Sequence, residues 1–437
     1  MATKEALPIS PNLILNPYFQ IPVGEDLPDF QVKSGVNSEF FDWQGLKLFG
    51  ERVGEDDTLC SGNIAFDPRT VVEHFHYESY IPRDAKTALR GKQSLVRKLY
   101  YGIRPLLPVA VRKHLQRVFL SDWSTIDFPQ WPVDDTADAL LREILKALLL
   151  TSGLKKIPFI WFWPENKKGC VLHTHDVETA AGLRHCPGLV KLDRSFGFRA
   201  AYQLIPEKRY QVVEEHLQRF RANDCEVNVH GLNHDGNLFR DFATFSSRRS
   251  AILEYKNKFG ARGFRSPAFY RELDWIADLG FEYDMSVPNV AHMEAQRGGC
   301  ATTFPFFFNN TLELPLTTIQ DYSLFHILRE DSIDLWKTQM DSILRWNGLV
   351  SFNTHPDYLR AARERSVYCN LLEEVARRVD AQNLWAPLPG ELNDWWRLRS
   401  KMQLHPEAQG WRISGDGAAR ASVAFASLED GGLVFTF

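Results

Sequence analysis

Val171-Leu172-His173-Thr174-His175-Asp176-Val177-Glu178 opens as an apolar run and closes on two carboxylates. Val171 to Thr174 read as a buried strand. Side chains alternate along an extended backbone, so Thr174, Asp176 and Glu178 share one face and His173 and His175 the other. Two carboxylates on one face at a strand end can divide labour, one ligating a metal while the other takes a proton from water. A strand-end acidic turn, or a helix cap by Asp176, explains this stretch alone equally well.

Outward from it the chain alternates. Residues 198–202, 226–230, 263–265, 281–284, 312–314 and 350–353 read as strands. Helices are expected at 208–222, around 246–259 and at 271–279. Repeated strand-helix alternation argues for a parallel α/β architecture. Polar motifs recur at the strand ends, where barrel-type α/β folds place their chemistry. His230-Gly231-Leu232-Asn233-His234-Asp235 holds two histidines four residues apart, a spacing that lets both imidazoles converge. Gly231 and Gly236 suggest tight backbone there, and Asn228, Asn233 and Asp235 are candidates to fix the imidazole tautomers. Arg265-Ser266-Pro267 offers a guanidinium that could grip a carboxylate in bidentate fashion. Thr354-His355-Pro356-Asp357 ends a strand on a histidine that can serve as general acid. Taken singly, each has a plain structural explanation: a surface pair, a salt bridge, a strand-end histidine. The joint order and spacing of all four outweighs those explanations.

Together these motifs resemble the polysaccharide deacetylase family, the NodB-homology domain, over roughly residues 168 to 395. Its motifs run T-F-D-D, H-(S/T)-x-x-H, R-x-P-(F/Y) and L-x-x-H. The resemblance implies a distorted (β/α) barrel and removal of acyl groups from N-acetylated sugars with one divalent metal ion, zinc by default, with nickel, cobalt or iron as the other candidates. It implies His230 and His234 as metal ligands, Asp176 as catalytic base, Arg265 as the residue orienting that base, and His355 as general acid. Three departures stand out. Val177 replaces the second Asp of the first motif, and the T-x-D-V-(D/E) form found in some branches moves the ligand to Glu178. Gly231 replaces Ser or Thr. Ala268 delays the aromatic Phe269 by one residue. Glu313 is a weaker candidate for tuning His355. Either the chain is a metal-dependent N-deacetylase, or it is a glycan-binding pseudoenzyme with a displaced carboxylate, or it cleaves another non-peptide C–N bond such as that of a formamido sugar.

The remainder bounds these readings. At 437 residues and 44% apolar composition, the chain can bury a large core. Its net charge of −4 argues against bulk polyanion or nucleic-acid binding. The 13% aromatic content reads as core filling. Six scattered cysteines with no C-x-x-C pair suit a reducing compartment. With no apolar leader and no spanning run, a cytoplasmic location is expected. A cytoplasmic enzyme would favour a nucleotide- or lipid-linked saccharide as substrate. Three parts are expected: an α+β extension over 1–165, the barrel over 166–395, and a small β appendage over 396–437. Within the extension, 137–152 carries a leucine stripe that predicts an amphipathic helix ended by Gly153. From 85 to 121 there is no acidic residue, and Lys86, Arg90, Lys92, Arg97 and Lys98 lead a cationic, apolar run. That run reads as a solvated basic helix face packed on the barrel, with peripheral contact to an anionic membrane as the competing reading.

Overall fold

The computed structural model describes residues 6–22, 30–33, 63–64, 66–81, 118 and 120–437. They fall into two compact units. One comprises described residues of 81–134 and 168–393; the other comprises those of 1–80, 135–167 and 394–437.

The first unit is built on eight strands. They are β1 (Cys170–Val177), β2 (Ala201–Leu204), β3 (Glu226–His230), β4 (Gly263–Arg265), β5 (Tyr283–Asp284), β6 (Phe306–Phe308), β7 (Thr311–Glu313) and β8 (Leu349–Thr354). Their order is β6-β7-β5-β4-β3-β2-β1-β8. Only β6 runs antiparallel to its neighbour. Every residue of β1 and of β8 is buried, as expected for parallel strands covered on both faces.

Beyond β7 the chain keeps bonding on both sides. Leu314 N donates to Asp284 O at 2.9 Å and Leu316 N to Val287 O at 3.0 Å. On the other flank Thr318 N reaches Ser351 O at 3.3 Å. Thr317 Oγ1 donates to Leu349 O at 2.7 Å and accepts from Ser351 N at 2.9 Å. The free edge of β8 is therefore satisfied partly by hydroxyls rather than by a regular ladder. The ring closes irregularly, which makes it a distorted barrel.

Connecting helices are α1 (Ala180–Ser195), α2 (Glu214–Ala222), α3 (Phe242–Phe259), α4 (Leu273–Ala277), α5 (Asp334–Leu344) and α6 (Ala362–Ala381). Thr179 caps α1 by accepting from Ala181 N and Gly182 N, and Asp241 caps α3 by accepting from Thr244 N. Four elements, β6, α1, α5 and α6, were not expected from the sequence, and two expected ones are displaced for a visible reason. The helix expected from 208 starts at Glu214, because Tyr210 is used in a loop. Its hydroxyl accepts from Ile205 N at 2.8 Å and donates to Val177 O at 2.6 Å. The strand expected at 198–202 is Ala201–Leu204, and Phe198 instead packs its ring 4.4 Å from that of His173.

The second unit holds the helix Thr136–Ser152, which ends at Gly153 with φ 68°. Strand Lys156–Ile160 pairs antiparallel with Val423–Glu429, which pairs with Gly432–Thr436. Phe19, Phe159, Trp161, Phe162 and Phe435 form one aromatic cluster, so much of the aromatic content is core. Most of the basic stretch 85–121, and the aromatic alternation at 40–43, lie outside the described residues. Among the described residues no helix is long and apolar enough to cross a membrane.

Candidate metal centre and acid–base site

Parallel register sets the site. Asn353 on β8 stands opposite Thr174 on β1, and His230 at the end of β3 stands opposite Arg265 at the end of β4. Register partners point to the same side of a sheet, so the ends of β1, β3, β4 and β8 aim their polar side chains into one place. His175, on the opposite face of β1, bonds Asp193 and Thr354 instead and takes no part in this cluster.

Asp176 is buried with both oxygens engaged. Oδ1 accepts from Arg265 Nη1 at 2.9 Å and Oδ2 from Asn353 Nδ2 at 2.9 Å. Burial pushes its pKa up, but the charge of Arg265, followed by His230 and His355, outweighs burial and holds it at about 2. Arg265 is itself locked, with Nε donating to Met285 O at 3.0 Å. The result is a fixed, ionised carboxylate with no freedom to rotate.

Glu178 lies one residue beyond β1. Its Oε1 sits 2.8 Å from His234 Nε2 and 3.9 Å from His355 Nε2. Burial raises its pKa, yet His234 and then His355 outweigh that and hold it well below the usual carboxylate range. His230 Nδ1 donates to Arg265 O at 3.1 Å, which fixes the tautomer that leaves Nε2 with its lone pair. That Nε2 is buried and has no hydrogen-bond partner. Burial lowers the His230 pKa to about 4, against the pull of Asp176, so the ring is neutral near pH 7. His234 Nε2 also lacks a partner in hydrogen-bond alignment, despite its nearness to Glu178.

Between the two histidines the chain turns at Gly231, whose φ is 62° and where a Cβ would lie 2.6 Å from Pro267 Cγ. The departure from Ser or Thr at this position is thus required both by backbone conformation and by space. His234 follows with φ 51°, which swings its ring back toward His230, 5.2 Å away between centroids.

One donor atom each from Glu178, His230 and His234 lie within 4.8 Å of one another. Two buried imidazole nitrogens without partners, facing one ionised carboxylate, fit a divalent cation of the zinc type, which favours N and O donors in this number. His355 stands on the other side of Glu178. Its Nδ1 lies 2.6 Å from Asp321 Oδ1, and its backbone N donates to Asp321 Oδ2 at 2.7 Å. Burial lowers the His355 pKa, but Asp321 more than reverses this and lifts it to about 10. The imidazolium therefore persists through neutral pH with Nε2 facing the site.

All six residues singled out in the sequence (Asp176, Glu178, His230, His234, Arg265 and His355) meet here. Three partners had no such reading: Asp321, Asn353 and Asp357. The last accepts from Glu178 N at 3.1 Å. Two secondary expectations are corrected. Glu313 does not tune His355; its Oε1 accepts from Val287 N at 2.9 Å, beside the buried Asp284. Asn228, Asn233 and Asp235 do not fix an imidazole: Asn228 bonds Tyr283 Oη at 2.8 Å and Gly263 N at 2.8 Å on the two following strands, and Asp235, beside Asn233, pairs with Arg248 at 2.7 Å.

No protein-family model matches the sequence, and no curated protein matches it. Among solved structures, a Mycobacterium smegmatis protein provisionally named a polysaccharide deacetylase is similar at 15% identity and a TM-score of 0.46, over 57% of this chain and 98% of that one. The PuuE allantoinase is similar at 13% identity and a TM-score of 0.42, over 54% of this chain and 92% of that one. A family 4 carbohydrate esterase from Streptomyces lividans is similar at 14% identity and a TM-score of 0.32, over 50% of this chain and 92% of that one.

Proposed function

We propose that this protein is a metal-dependent hydrolase that removes an acyl group from an N-acylated sugar, using Glu178, His230 and His234 to hold one divalent cation. The observation that carries the reading is the arrangement around those three donors: an ionised carboxylate, Asp176, on one side and a protonated imidazole, His355, on the other. A divalent ion bound there supplies Lewis acidity toward an acyl carbonyl and a water molecule. Asp176, pinned by Arg265 and Asn353, accepts the proton of the attacking water. His355, kept protonated by Asp321, delivers a proton to the departing amine nitrogen. Acid and base are thus set apart by environment, one pKa driven down and the other driven up.

The expected substrate is an N-acylated saccharide, and zinc is the expected ion because two imidazoles and a carboxylate suit it. The test is release of acetate from N-acetylated saccharides by the metal-loaded protein. Asp176→Asn should abolish turnover with the metal still bound. Full activity in that variant would remove Asp176 as the base.

A further inference from the structure

Glu178 has an unusual support. The hydrogen-bonded ladder of β1 ends where Val177 pairs with Leu204 on β2. Glu178 therefore lies past the last residue that the sheet positions. A ligand carboxylate on an unsupported peptide would wander by more than a metal centre tolerates. Here its backbone N donates to Asp357 Oδ2 at 3.1 Å. The other oxygen of Asp357 accepts from the hydroxyl of Thr179, the next residue. That same Thr179 hydroxyl accepts from Ala181 N at 3.1 Å and Gly182 N at 3.2 Å, which ties the clamp to the first turn of α1. Gly182 makes room for it, since a Cβ there would lie 2.3 Å from Asp357 Oδ2.

Asp357 itself follows His355 by two residues. One carboxylate thus fastens the loop carrying the imidazolium to the peptide carrying the candidate metal-ligating carboxylate. A helix N-terminus favours a negative group in this place.

We propose that Asp357 is a positioning residue that fixes the Glu178 carboxylate for metal binding, replacing the strand ladder that Glu178 has lost by standing one residue beyond β1. The proposal rests on the reading of Glu178 as a ligand. Outer partners that orient a ligand commonly change metal affinity by about 10- to 100-fold when removed.

The experiment is a Co(II) titration of the metal-free full chain, followed by visible absorption and by competition with a chelator. Wild type is expected to bind one Co(II) per chain. Asp357→Ala is expected to weaken binding by about 10- to 100-fold and to alter the d–d bands, because Glu178 is freed. Asp357→Asn, whose Oδ1 can still accept the Glu178 N–H, is expected to recover most of the affinity. If Asp357→Ala fails to fold, Thr179→Val carries the test by releasing the other oxygen, with a smaller loss in the same direction. A simple stability defect would shift the melting temperature without changing the cobalt spectrum. Unchanged affinity and spectrum in Asp357→Ala, or an equal loss in Asp357→Asn, overturns the proposal while Glu178 stays a ligand. Failure of the wild type to bind Co(II) removes the reading of Glu178 as a ligand, and the proposal with it.

Discussion

Replacing Asp321 by asparagine should move the titration of His355 by at least two pH units. In the folded chain both partners are buried, with side-chain exposures of 4% and 0%, and Nδ1 sits 2.6 Å from Oδ1. A hydrogen bond between charged groups in such surroundings contributes about 1.5–3 kcal/mol. Each pH unit corresponds to about 1.4 kcal/mol, so losing the Asp321 charge lowers the His355 pKa by about 1–2 units through the hydrogen bond alone. Burial, which opposes the charged ring, then acts unchecked and adds to the fall. From a starting value of about 10, the variant should titrate near or below about 8. The assay is a pH titration of histidine Cε1–H NMR signals in metal-free protein, with the signal assigned by His355→Gln. The sign for stability follows. Because the folded pKa is raised, His355 stabilises the fold fully below its unfolded value of about 6.5. That contribution is lost as pH rises through 10. Wild type should therefore lose stability from neutral to alkaline pH, and Asp321→Asn should flatten that slope. An unchanged His355 titration in Asp321→Asn would refute the assignment of Asp321 as its partner.

Three further outcomes follow from the same geometry. Asn353→Ala removes one of the two donors to Asp176, and a lost charged hydrogen bond of about 2 kcal/mol should raise the Asp176 pKa by about 1 unit or more; carboxyl NMR titration reads it directly. Gly231→Ser places a side chain at φ 62° and against Pro267, so denaturant unfolding should show a loss of about 2 kcal/mol. Glu294 is buried and accepts from Gln320 Nε2 at 2.7 Å; burial, partly offset by that bond and by Arg271, raises its pKa to about 7. Its contribution to stability is thus present below its unfolded value of about 4.5 and is lost as pH rises through 7, a swing of about 3 kcal/mol. Glu294→Gln should remove that swing from the pH dependence of unfolding, and an unaltered profile would count against it.

The sequence carried the parallel α/β architecture because its strands are short apolar runs that end in polar motifs, a pattern visible without distant contacts; the barrel itself is what the family resemblance implied. It carried the six central side chains for the same reason: each sits within a few residues of a strand end. Asp321 was not legible. It lies in Ile319-Gln320-Asp321-Tyr322, it meets His355 across 34 residues, and no local spacing links the two. Glu313 drew attention because it stands on a strand, but β7 turns it toward Asp284 and Val287 rather than toward the site. Helix α1 was unread because Gly182, Pro187 and Gly188 interrupt its pattern; the cap by Thr179 and the packing of Leu183, Leu189 and Val190 override them. Tyr210 moved the start of α2 through a tertiary bond to Val177, which no propensity scale contains.

Metal analysis of the purified chain, wild type beside His230→Ala/His234→Ala, bears most directly on the central claim. The account predicts about one divalent ion per wild-type chain and none in the double variant, because the ion's two nitrogen donors are gone. No metal in either protein, even after exposure to zinc, cobalt or nickel, would contradict it and would favour a barrel that has lost its hydrolytic centre.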